Sequence, residues 1–201
     1  MNTAESLAEE RAARTASAPV LGMVLFVASE AMFFAAFFAI YALNYSSHPV
    51  WPPKDIENPS IGLPTVMTLA MVLSSAALQF GLRAIRRGRT RPFTRLLGVT
   101  LALGLVFIAL QIVGFSGMKF GIRDGAYGSL FYIMSGVALA HVVGGVLLLS
   151  LVLARTVSGQ LSMVRHEPAE AATIYWHFVV IVTIVLYVLF YVVAATNIKG
   201  P

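Results

Sequence analysis

Residues 19–43 read PVLGMVLFVASEAMFFAAFFAIYAL, from Pro19 to Leu43, and carry a single charged side chain, Glu30. At about 1.5 Å of rise per residue, a helix of this length crosses a hydrocarbon core of about 30 Å. Periodicity alone does not separate helix from strand in so apolar a run. Length and continuity favour helix, because a segment in lipid must satisfy its own backbone hydrogen bonds.

Four further runs of the same kind follow: Leu63–Leu82, Phe93–Met118, Ser129–Leu153 and Ala171–Ala195. The fold class predicted from them is all-α, a polytopic membrane bundle of about five transmembrane helices. Residues 19–201 form one transmembrane domain, and residues 1–18 form a cytoplasmic segment. Met1–Ala18 contains Glu5, Glu9, Glu10, Arg11 and Arg14, and lacks a basic start followed by a short apolar core. It reads as a frayed or surface helix rather than a signal peptide.

The composition agrees with lipid as the solvent. Of 201 residues, 58% are hydrophobic and 11% charged, where a soluble domain of this size carries about 25% charged residues. Mean hydropathy is +0.82. The net charge of +5 does not point to nucleic acid, because the charges sit between the apolar runs, as membrane-face anchors do. There is no cysteine, so disulfides and thiolate metal sites are excluded.

Lys and Arg set the predicted orientation. With the N-terminus inside, the inner segments hold ten: Arg11, Arg14, six arginines between Arg83 and Arg95, Arg155 and Arg165. The outer segments hold four, Lys54, Lys119, Arg123 and Lys199. The positive-inside rule then gives N-in and C-out. The loop after the first span is stiffened by Pro49, Pro52, Pro53 and Pro59. Trp51 in it suits a membrane interface or a protein contact, so Trp51, Pro52 and Pro53 mark an ordered external loop and a candidate docking surface.

Polar side chains inside the spans are the candidate functional residues. Glu30 lies about ten residues into its run, roughly 15 Å deep. With Phe26, Phe33, Phe34 and Phe37 as helical neighbours, its carboxyl is expected to be protonated, with a raised pKa. Two readings stand: a hydrogen bond across a helix pair, or a proton-linked or lipid-contacting carboxylate in a larger complex. His141 sits mid-span beside Gly136, Ala140 and Gly144, a spacing that lets a second helix approach. Glu170, Thr173 and His177 share one face near the inner surface. The depths of His141 and His177 differ by roughly 10 Å, which argues against a haem held between them. Four histidines in all give no cluster dense enough for copper or zinc. No metal site and no catalytic residue is expected in the chain. A subunit of a larger membrane complex and a small proton-linked transporter both remain, and the lack of proline within the spans and of matching halves favours the subunit.

Several strings resemble the cytochrome c oxidase subunit III family. Leu25-Phe-Val-Ala-Ser-Glu-Ala-Met-Phe-Phe34 is similar to that family's glutamate helix, and Trp51-Pro-Pro53 follows at the family's spacing. Asp124-Gly-Ala-Tyr-Gly-Ser129 resembles the lead into the penultimate helix, His141-Val the histidine within it, and Glu170-Ala-Ala with Tyr175-Trp-His-Phe178 the start of the last helix. The pieces stand in the family's order over about residues 20–195.

The resemblance implies the shorter five-helix bacterial form, placed in the bacterial inner membrane. It implies a non-catalytic subunit of an aerobic terminal oxidase, packed beside catalytic subunit I and subunit II, which it stabilises and whose proton uptake it supports. Haem and copper would lie in those partners, none in this chain, and phospholipid would bind. Glu30 would be the family's buried carbodiimide-reactive carboxylate. His141, Glu170, Trp176 and His177 would be motif positions in lipid or helix contacts. Ala138, Val180 and Gly114 stand where the family often has a histidine, an aspartate and a glutamate. Quinol oxidase subunit III and the accessory protein of nitric oxide reductase share the fold, and the Trp-Pro-Pro loop tilts the reading toward the cytochrome c branch.

Overall fold

The computed structural model describes residues 18–53, 56 and 60–196. Of the expected N-terminal surface helix Met1–Ala18, residues 1–17 lie outside them, as does part of the first loop. Five long helices cross the molecule: α1 (Ala18–Ser47), α2 (Gly62–Arg86), α3 (Thr90–Ser116), α4 (Gly125–Val157) and α5 (Glu167–Tyr187). A π-helical turn, Val188–Val192, continues α5 into the short α6, Val193–Thr196. All five are long and apolar enough to span a membrane. Among the described residues there is no strand.

The helices overrun the apolar runs that predicted them, chiefly at the arginine-rich ends. α2 continues to Arg86 rather than Leu82, and α3 begins at Thr90 rather than Phe93. Between them the chain turns at Gly88, whose φ of 74° is left-handed. Its N–H bonds the Ile85 carbonyl at 2.9 Å and Arg89 N–H reaches back to Ala84 at 2.9 Å, a Schellman stop that glycine accommodates without a Cβ clash. Gly159 ends α4 in the same way, with φ 73° and a 2.9 Å bond from Gln160 N–H to the Arg155 carbonyl. α5 opens on Glu167, Pro168 and Glu170, where proline loses no helical hydrogen bond and acids meet the positive end of the helix dipole.

α5 is the central post. It packs against α1, α2 and α4, while α2 pairs with α3 and α3 with α4. One core lies toward the arginine end, around Met71, Leu78, Phe93, Leu97 and Trp176. The other lies toward the opposite end, around Phe34, Tyr127, Phe131, Met134 and Phe190. α1 is the least covered helix, with only Phe34 and Tyr41 buried. Met32 is 76% exposed and Leu43, Leu69, Leu147 and Leu151 face outward too, the apolar exterior that a bilayer or a partner subunit covers.

The proline-rich loop folds inward. Trp51 is 2% exposed, boxed by Tyr41, His48 and Tyr127 at ring separations of 5.8, 5.4 and 5.3 Å. Pro52 is buried and Pro53 half-buried. The ring expected at a membrane interface or protein contact is instead packed into the chain's own core, because Tyr41 and Tyr127 close over it from α1 and α4. The small-residue ladder is used at one end only. A Cβ built on Gly144 would stand 3.3 Å from the Tyr175 hydroxyl of α5, whereas one on Gly136 would meet nothing from another element within 4 Å.

Candidate functional site

Glu30 and His141 meet. Nε2 of His141 lies 2.9 Å from Oε2 of Glu30, and Nδ1 lies 2.8 Å from the Val137 carbonyl. A carbonyl only accepts, so Nδ1 carries a hydrogen and donates. The Glu30 contact therefore holds one proton, either as a carboxylic acid donating to the bare Nε2 or as a carboxylate receiving from an imidazolium. Both forms leave the pair neutral overall, which lowers the cost of placing it in the membrane interior. The helices explain why they meet. α1 and α4 both lean on α5 and touch each other little elsewhere.

The surroundings are aromatic. Phe34 and Phe178 flank the imidazole at 5.1 and 6.5 Å, and Phe26 stacks on Tyr175 at 6.0 Å. The Tyr175 hydroxyl donates to the His141 carbonyl at 3.0 Å. Side-chain exposures of 16% for His141 and 22% for Glu30 leave the pair open along one side. Such an arrangement can hold and exchange a single proton. Tyr175 is the residue that sequence reasoning passed over as a site member. Its place two positions before His177, on the last helix, was the available signal.

His177 belongs to a different group. Ser75 donates to its Nδ1 at 2.6 Å and its Nε2 donates to Gln79 Oε1 at 3.1 Å, the pattern of a neutral imidazole tying α5 to α2. Glu170 forms a third group. Arg86 reaches its Oε1 through Nε at 2.8 Å and Nη2 at 2.6 Å, and His166 Nε2 lies 3.1 Å from the same oxygen. The shared face expected for Glu170, Thr173 and His177 is thus divided. Seven residues separate the outer two by about 10 Å along the helix, and the buried Thr173 hydroxyl between them turns back to the Ala169 carbonyl at 2.7 Å. Partners Ser75, Gln79 and Arg86 lie too far away in sequence for spacing to reveal them, whereas His166 stands only four residues before Glu170.

Trp176 locks the bundle. It is fully buried, and its Nε1 donates to Ser74 Oγ at 2.9 Å. Thr100 donates to the Ser74 carbonyl at 3.1 Å, joining α3, α2 and α5. A Cβ built on Gly104 or on Gly145 would stand 2.8 Å from the indole. The close approach predicted for a small-residue ladder therefore occurs here, at glycines of α3 and α4.

Both ring nitrogens of His141 and of His177 are engaged in hydrogen bonds. Among the described residues no three His, Cys, Asp or Glu side chains gather where they could hold a metal.

The family described as Cytochrome c oxidase subunit III matches residues 6–195. Cytochrome c oxidase subunit 3 of Synechocystis sp. is 34% identical over 173 residues, covering 86% of this chain and 74% of the relative. The protein of the same name from Thermostichus vulcanus is 33% identical over 174 residues, 86% of each chain. That of Ornithorhynchus anatinus is 35% identical over 177 residues, 85% of this chain and 67% of the relative. These names do not favour a quinol oxidase, a nitric oxide reductase accessory protein or a transporter.

Proposed function

The chain belongs to the cytochrome c oxidase subunit III family, and on that premise we propose that it is the non-catalytic subunit that stabilises subunit I and supports its proton uptake during electron transfer to O₂. Subunit I, together with subunit II, would carry the haem and copper. The observation that carries this reading is the Glu30–His141 pair, a one-proton site within the membrane-spanning region. Bound phospholipid, the bacterial inner membrane and an N-in, C-out orientation complete the proposal. The orientation is supported by the grouping of Arg83, Arg86, Arg87, Arg89, Arg91, Arg95, Arg155 and Arg165 at the α2–α3 and α4–α5 ends.

Removing this chain from the purified complex tests the role. The haem and copper spectra are expected to stay with the remaining subunits, while proton uptake slows and the enzyme inactivates sooner during turnover. Haem accompanying the isolated chain, or a depleted complex that takes up protons and survives turnover like the intact one, would refute it.

A further inference from the structure

A second feature lies away from the Glu30–His141 pair. α2 and α3 are tightly joined at their arginine ends, where a Cβ on Gly81 would stand 3.3 Å from Phe93. Toward the other end two cavities open beside this hairpin, and the inner one is floored by α4 and α5. An outer one of about 410 Å³ has Ser60, Gln111 and Lys119 among its lining residues. An inner one of about 40 Å³ includes Thr68, Gln111, Ser135 and Tyr191. The two share Pro64, Met67, Gln111 and Tyr191, so they adjoin.

The inner lining is unusual for a membrane interior. Thr68, Gln111, Ser135 and Tyr191 present an amide and three hydroxyls, and none of these groups hydrogen-bonds to protein among the described residues. Gln111 lies about 8 Å inside the end of α3, and Ser135 about 15 Å from the start of α4. The Thr68 and Ser135 hydroxyls can fall back on carbonyls of their own helices. The Gln111 amide, with two donors and an acceptor, bears the heaviest cost if left unpaired. An acyl chain would satisfy none of the four. Water satisfies all of them. A space of about 40 Å³ with this polar side exceeds the roughly 10–15 Å³ that one water requires, and two to four polar partners are at hand.

We propose that this double cavity is an aqueous inlet: it admits water from the membrane face bearing Ser60 and Lys119, narrows at Gln111 and Tyr191, and ends in a small water-binding site at Ser135 and Thr68. Its chemistry suits water and hydronium rather than lipid, and the proposal stands independently of the role given to Glu30.

The absence of cysteine from the chain allows a clean test in native membranes. Gln111→Cys, Ser135→Cys and two controls on outward-facing positions of α2 and α3, Leu69→Cys and Val106→Cys, are compared. Gln111→Cys is treated with a charged, membrane-impermeant thiosulfonate from each face. Ser135→Cys is treated with Ag⁺, which travels in water and not in lipid, and scored by protection from later alkylation. Only a hydrated thiolate reacts, so Gln111→Cys is expected to react at least about ten-fold faster than the controls, and from the Lys119 face alone. Ag⁺ is expected to protect Ser135→Cys and neither control. Should Gln111→Cys fail to accumulate, the Ser135→Cys result decides. Rates equal to the controls, as an acyl chain in the cavity would give, or reaction from the opposite face overturn the proposal.

Discussion

At the scale of single residues, Trp176 shows how one side chain organises its neighbours. Its indole fills the space over two glycines and its Nε1 reaches Ser74. Trp176→Phe keeps most of the ring and removes that donor, leaving Ser74 Oγ with its bond to the Met71 carbonyl at 2.6 Å. The expected loss is about 0.5–1.5 kcal/mol. Trp176→Ala adds a cavity and should cost about 3–5 kcal/mol. Thermal unfolding of the two variants in detergent checks the ranking. Glu30 and His141 were legible as costly polar residues at one depth. Their pairing was not, since nothing in sequence says which helices are adjacent. The role of Trp176 was visible only as a motif position, because its partners stand 102 residues away at Ser74 and on two other helices.

Among elements, glycine position decides how helices fit. Gly145 and Gly104 lie where a methyl group would strike a buried indole at 2.8 Å, and Gly136 lies where it would meet nothing within 4 Å. Gly145→Ala should therefore destabilise by about 1–3 kcal/mol through overpacking, whereas Gly136→Ala should stay within about 0.5 kcal/mol of the parent. Chemical or thermal denaturation of the pair measures the difference. Five spans could be read from apolar length alone, since lipid permits little else. Their true ends could not, because helices run on through arginine-bearing turns until Gly88 and Gly159 stop them. The ladder Gly136–Ala140–Gly144 has the spacing of a packing seam, yet the seam used is set by which helix carries Trp176. The inward fold of Trp51 was equally hidden, because its partners Tyr41 and Tyr127 come from two separate helices.

For the whole molecule, a central α5 supports α1 on one side and the α2–α4 arc on the other, leaving a broad apolar exterior and one proton-holding pair within the spans. The composition announced the membrane, and the ordered motifs announced the family. The distribution of polar groups into three separate clusters, around Glu30, His177 and Glu170, emerged only from the packing. In the proposed role Glu30 contributes a transferable proton rather than packing. Proton uptake during turnover of the purified Glu30→Gln complex tests this most directly. A glutamine amide can still donate to His141 Nε2, but it cannot give the proton up. Haem spectra like those of the parent are expected, with proton uptake slowed as much as in Glu30→Ala. Uptake by Glu30→Gln at the parent rate would contradict that role.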